Sequence, residues 1–214
     1  MGKTKSNGGR FHVDWINPSQ KMAWALYQQH DVLFLVGPAG TGKTYLATAF
    51  AISEILQGSR KRIVLTRPII EAGESLGFLP GTFEEKVNPY MLPFFDCLFE
   101  LIPNEEQRKA VEATFELAPL AYMRGRTFKK SVCIFDEAQN ATKKQLKLFL
   151  SRFSDNSKII ITGDPTQSDI GTASGLMDVI HRLETVAGVG VICFKKEDIV
   201  RHPMVAAMLE KLED

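Results

Sequence analysis

Cysteine is scarce in this sequence: Cys97, Cys133 and Cys193 are the whole complement, and no two form a CxxC pair. Three such widely spaced thiols exclude a disulfide framework and a cysteine-based zinc site, and they suit a reducing compartment. Long hydrophobic runs are missing as well. No segment approaches the roughly 20 apolar residues a membrane span requires, and no signal-peptide pattern opens the chain, so the expected location is cytoplasmic, without a membrane partner. Charge of one sign is not in excess either, since 26 basic and 25 acidic residues leave a net charge of +1. Any nucleic-acid contact must therefore come from a local patch rather than a whole-molecule field. His12, His30, His181 and His202 lack the spacing of a metal cluster or a catalytic relay.

What is present is a chain of 214 residues, 44% hydrophobic and 24% charged, enough to bury the core of one compact domain. Residues 1–10 are polar and glycine-rich and read as a disordered tail; residues 11–214 read as one domain. Asn17 and Pro18 supply a helix N-cap and a first-turn proline, with apolar spacing continuing toward His30. Short apolar runs at 32–36, 63–66, 132–135, 159–162 and 189–194 read as five buried strands separated by helical segments. Strands alternating with helices predict an α/β fold: a mostly parallel sheet with helices on both faces. Between the second and third of these strands lies an insertion, about Arg67 to Lys130, too long for an ordinary crossover. Its 84–101 portion has helical apolar spacing, with Pro89 and Pro93 expected to kink or break it.

Gly37-Pro38-Ala39-Gly40-Thr41-Gly42-Lys43-Thr44 fits GxxxxGK[ST] between an expected strand and an expected helix, which is the context a phosphate-binding P-loop needs. Its glycines let main-chain N–H groups curl around phosphate oxygens, Lys43 reaches the β- and γ-phosphates, and Thr44 holds Mg²⁺. An apolar strand then ends in Asp136 and Glu137. Asp136 is placed to orient Mg²⁺ and Glu137 to polarise an attacking water, so the pair points to hydrolysis rather than simple binding. The next strand ends in a Gly163-Asp164-Pro165-Thr166-Gln167 turn, which makes Gln167 the candidate γ-phosphate sensor. Gln20 is either an adenine contact through its two-faced amide or a solvated helix residue. No NKxD guanine motif occurs, so ATP is the expected nucleotide.

Asn17 with Gln20, GPAGTGKT at 37–44, TRP at 66–68, IFDEAQN at 134–140 and GDPTQ at 163–167 together resemble the first RecA-like domain of superfamily 1 helicases. GESLGFLPG at 73–81, EEKVNPY at 84–90, LAPLAYMRGRTF at 117–128 and VRHP at 200–203 are similar to blocks of PhoH-like P-loop ATPases. The likeness runs from about Ile16 to the C-terminus. It implies a single RecA-like domain, Mg²⁺-dependent ATP hydrolysis and a link to RNA metabolism, with any nuclease activity supplied by a separate ribonuclease partner.

Superfamily 1 helicases close ATP between two RecA-like domains, and this chain has room for one. The expectation is therefore a homo-oligomer, a hexameric ring, in which Arg201 completes a neighbour's site as an arginine finger; Arg124 and Arg126 are rival donors. Tyr122, Arg124, Arg126 and Lys129, with Phe128 and Lys130, alternate aromatics with cations. That pattern fits either a single-stranded RNA contact or a strand edge with core aromatics and solvated cations. Two further readings are a small-molecule P-loop kinase, against which Glu137 and the GDPTQ segment count, and an ATP-switched assembly module without RNA-stimulated turnover.

Overall fold

A computed structural model describes residues 11, 13–68 and 83–200, with 204, 205, 208 and 211, the 83–90 stretch as backbone only. Asn17 caps the first helix, its side chain accepting from Gln20 N at 2.9 Å, and Pro18 opens it at a position whose N–H would lack a helical partner anyway. This α1 (Pro18–Gln29) leads into β1 (Val32–Val36), the P-loop and α2 (Lys43–Leu56). There follow β2 (Arg62–Thr66), α3 (Phe83–Leu101), α4 (Glu105–Glu112), β3 (Phe115–Leu117) and β4 (Ser131–Phe135). The chain continues through α5 (Lys143–Leu150), β5 (Lys158–Gly163), α6 (Leu176–Leu183) and β6 (Val189–Cys193).

The six strands form one sheet in the order β3-β2-β4-β5-β1-β6, every pair parallel. Alternation along each strand sorts its side chains between two cores. Leu33, Leu35, Ile63, Leu65, Ile134 and Ile160 face one side with residues of α1 to α4, whereas Phe34, Val36, Val64, Phe135, Ile159 and Ile161 face the other with α5 and α6. Burial on both faces is why these strands read as unbroken apolar runs.

Two expectations are corrected here. The sheet has six strands, not five, because β3 lies inside the expected insertion. Only three residues long and half-buried at the sheet edge, it carries no apolar run, and its central Glu116 pairs with Arg62 and Arg126. Of the expected kink or break, the break is overturned: α3 runs through Pro89 and Pro93, continuous over 19 residues. Met91, Phe94 and Leu98, one stripe on that helix, are buried in the core shared with α2, and this packing outweighs the main-chain bonds the prolines forgo.

Candidate nucleotide site

In an all-parallel sheet every strand delivers its following loop to the same edge, and β4, β5 and β1 are neighbours. Their loops therefore meet around a cleft of about 240 Å³ that brings together Lys43, Thr44, Asp136, Glu137 and Gln167. Ala39, Gly40 and Gly42 of the P-loop line it as well, while Gly37 and Pro38 form the loop's base. Gly42 starts α2 at φ +84°, a left-handed conformation that suits glycine, and no side chain caps the helix. Its first amides thus point at the cleft with the positive end of the helix dipole behind them.

Lys43 folds back onto its own loop, Nζ donating to Gly37 O at 2.7 Å and Pro38 O at 2.8 Å. Burial holds its pKa below the ordinary lysine value, against the opposing pull of Asp164, Glu137 and Asp136. Asp136 is almost wholly buried, accepting through Oδ1 from Thr44 Oγ1 at 3.1 Å and from Thr162 Oγ1. Desolvation pushes its carboxyl above the ordinary carboxylate range, the Thr162 hydrogen bond working the other way and Glu137 adding to the rise. A buried carboxylate with hydroxyls beside it and, among the described residues, no basic side chain bonded to it is a hard-oxygen donor set that fits Mg²⁺.

Glu137 stands at φ +54°, one of three such non-glycine residues among those described. Its Oε1 pairs with Arg67 Nη2 at 3.1 Å, at the end of β2, and its Oε2 accepts from Gln139 Nε2. Gln139 Oε1 in turn accepts from Asp164 N at 3.0 Å. Asp164 Oδ2 accepts from Ala39 N of the P-loop at 3.0 Å, and its Oδ1 accepts from Thr166 N and Oγ1. Arg67, Gln139 and Asp164 received no role from the sequence. Each follows an apolar strand directly or within four residues and lies in one of the TRP, IFDEAQN and GDPTQ blocks, the two signals that could have marked them.

The remaining candidates lie elsewhere. Gln20 is buried rather than solvated, its Oε1 accepting from Ile16 N at 3.0 Å and its Nε2 donating to Thr41 O at 3.4 Å, so its amide braces the P-loop. Arg201 lies outside the described residues, as do the whole 73–81 block and the 1–10 tail. Residues 122–130 are not a strand edge: Leu120–Tyr122 is a 3-10 turn followed by a loop. Tyr122 and Arg124 are exposed near the carboxyl end of β3, whereas Lys129 and Lys130 directly precede the amino end of β4. Between them Arg126 is tied to Glu116 and lies over the Phe128 ring, which is core. The basic stretch is thus strung along the sheet, not gathered into one patch.

A family profile described as PhoH-like protein matches residues 12–213. The chain belongs to the PhoH-like family. It is 47% identical over 189 residues to a PhoH-like protein of Bacillus subtilis (strain 168), covering 87% of this chain and 59% of that one. It is 42% identical over 182 residues to Protein PhoH of Escherichia coli (strain K12), covering 83% and 51%. The chain therefore spans little more than half the length of these PhoH-like relatives. Among solved structures, the Sulfolobus solfataricus SWI2/SNF2 ATPase core in complex with dsDNA superposes with a TM-score of 0.51 at 14% identity, over 94% of this chain and 52% of that one. The PhoH-like chain thus has the RecA-like P-loop NTPase fold. None of its described helices is long and apolar enough to cross a membrane.

Proposed function

We propose that the chain is a Mg²⁺-dependent ATPase, and the observation that carries the reading is the convergence of Lys43, Asp136 and Glu137 on one phosphate-sized cleft. The P-loop amides and the amino end of α2 hold the β- and γ-phosphates, and Lys43 exchanges its two loop carbonyls for phosphate oxygens. Thr44 and Asp136, hydrogen-bonded to each other, would hold Mg²⁺, which when bound would supply neutralisation of phosphate charge. Glu137 orients a water and takes its proton as the water oxygen attacks the γ-phosphorus; the bond to the β-bridging oxygen breaks, leaving ADP and inorganic phosphate. Gln167, exposed at the cleft's rim, contacts the γ-phosphate.

The output of this cycle is work on single-stranded RNA by a homo-oligomeric ring, in which Arg201 of one subunit serves the next subunit's site. Exposed Tyr122 and Arg124, near the carboxyl edge that carries the nucleotide loops, support the RNA contact.

Phosphate release with and without single-stranded RNA tests both layers. Lys43→Ala is expected to lose nucleotide binding and turnover together. Glu137→Gln is expected to keep binding while turnover falls by about 10²–10⁴-fold. Undiminished turnover in Glu137→Gln overturns the ATPase mechanism, and stimulation by RNA that survives Tyr122→Ala with Arg124→Ala removes that surface from the RNA path.

A further inference from the structure

Glu137 is held from two sides. Its backbone is in a left-handed conformation that is unfavourable for a non-glycine residue, so the surrounding structure must impose it. Two residues on, Gln139 is 2% exposed and uses both ends of its amide on named partners: Nε2 donates to Glu137 Oε2, and Oε1 accepts from Asp164 N. Asp164 is itself bonded to Ala39 N of the P-loop. The loops after β4, β5 and β1 are thereby joined into one chain of hydrogen bonds that runs from the water-activating carboxylate to the amides that grip phosphate. Gly163 shows how closely the joint is fitted: a Cβ there would lie 2.7 Å from Leu176 Cδ2 and 3.1 Å from Gln139 Oε1.

We infer that Gln139 is a positioning residue for hydrolysis, setting the Glu137 carboxylate at a fixed place relative to the phosphate-gripping loop while touching neither nucleotide nor water itself. This rests on the proposed role of Glu137. Gln139's side chain is too buried to line the cleft, and a carboxylate tethered only by Arg67, which is partly exposed, could swing away from the water. Misplacement of a reacting group by about 1 Å costs on the order of 10²-fold in rate.

The discriminating variant is Gln139→Glu, which keeps the acceptor for Asp164 N and replaces the donor facing Glu137 with a second carboxylate. In the full chain, kcat is expected to fall about 10–100-fold, with KM for ATP and affinity for Mg·ADP close to wild type and Tm lowered by the like-charge pair, the chain still folded at the assay temperature. In a Glu137→Gln background the same change is expected to alter residual turnover by less than about twofold, because two residues acting through one carboxylate are not additive. Gln139→Asn, which keeps the amide but withdraws it by one methylene, serves if Gln139→Glu fails to fold. An unchanged kcat, a loss confined to KM, or a loss that multiplies with Glu137→Gln overturns the inference. If Glu137→Gln alone turns over like wild type, the role of Glu137 fails first; if it is slow while Gln139→Glu is not, only the positioning role of Gln139 fails.

Discussion

Lys43 has three N–H donors, and in the described chain two of them are committed to Gly37 O and Pro38 O. The loop is therefore shaped around its own lysine, and under the proposed function a phosphate would enter by exchange for those two bonds. Thiols show the same dependence on surroundings: burial pushes Cys133 up to about 12 and Cys97 up to about 11, while Cys193 is exposed at the end of β6. Alkylation with iodoacetamide at pH 8 should modify Cys193 first and Cys133 only in denaturant, which mass mapping of the peptides checks. At this scale the sequence was most legible where chemistry demands a fixed spacing. That Lys43, Thr44, Asp136 and Glu137 line one cleft could be read because a P-loop and a strand-end acid pair are local patterns. The contacts of Arg67, Gln139 and Asp164 were not legible, because the Arg67–Glu137, Gln139–Asp164 and Asp164–Ala39 bonds join loops far apart in the chain. The burial of Gln20, which removes the solvated alternative, was not legible because its i to i+4 environment says nothing of the P-loop it contacts.

Among the elements, α1 is fixed at both ends by side chains from outside its periodic core stripe. Asn17 closes its start, and Lys158 of β5 donates to Tyr27 O and His30 O at its end, with the ammonium 4.4 Å from the Tyr27 ring centre. Lys158→Met keeps the apolar stem and removes both charge-assisted bonds. It should lower stability by about 1.5–3 kcal/mol, read as a lower urea midpoint at unchanged m-value. The start of α1 was visible in Asn17-Pro18, whereas the Lys158 cap was not, since it arrives from another element. The same contrast explains β3. Four to six consecutive apolar residues mark a strand buried on both faces, but a three-residue edge strand with a central glutamate carries no such mark. In α3 the local rule about proline was outweighed by packing against α2.

Considered whole, the cleft is assembled from loops of three adjacent strands that exist together only in the folded state, so under the proposed function a ligand would stabilise the fold. Mg·ADP at about 100 times its Kd should stabilise the chain by about 2.7 kcal/mol and raise Tm by about 5–10 °C, an effect Lys43→Ala should abolish in a thermal melt. The parallel α/β architecture was legible from strand–helix alternation, but the strand order was not, since pairing depends on which buried faces complement each other across long stretches of chain. In that order β1, the strand that carries the phosphate loop, finds its ladder partners far downstream: Val32 faces Ile159 on one side and Val189 on the other. During synthesis at about 5–20 residues per second, the GPAGTGKT segment emerges on the order of ten seconds before either neighbour exists to support it. A ribosome stalled ahead of Lys158 would thus display a nucleotide signature with no platform to stand on, and truncated translation products of that length would be blind to ATP.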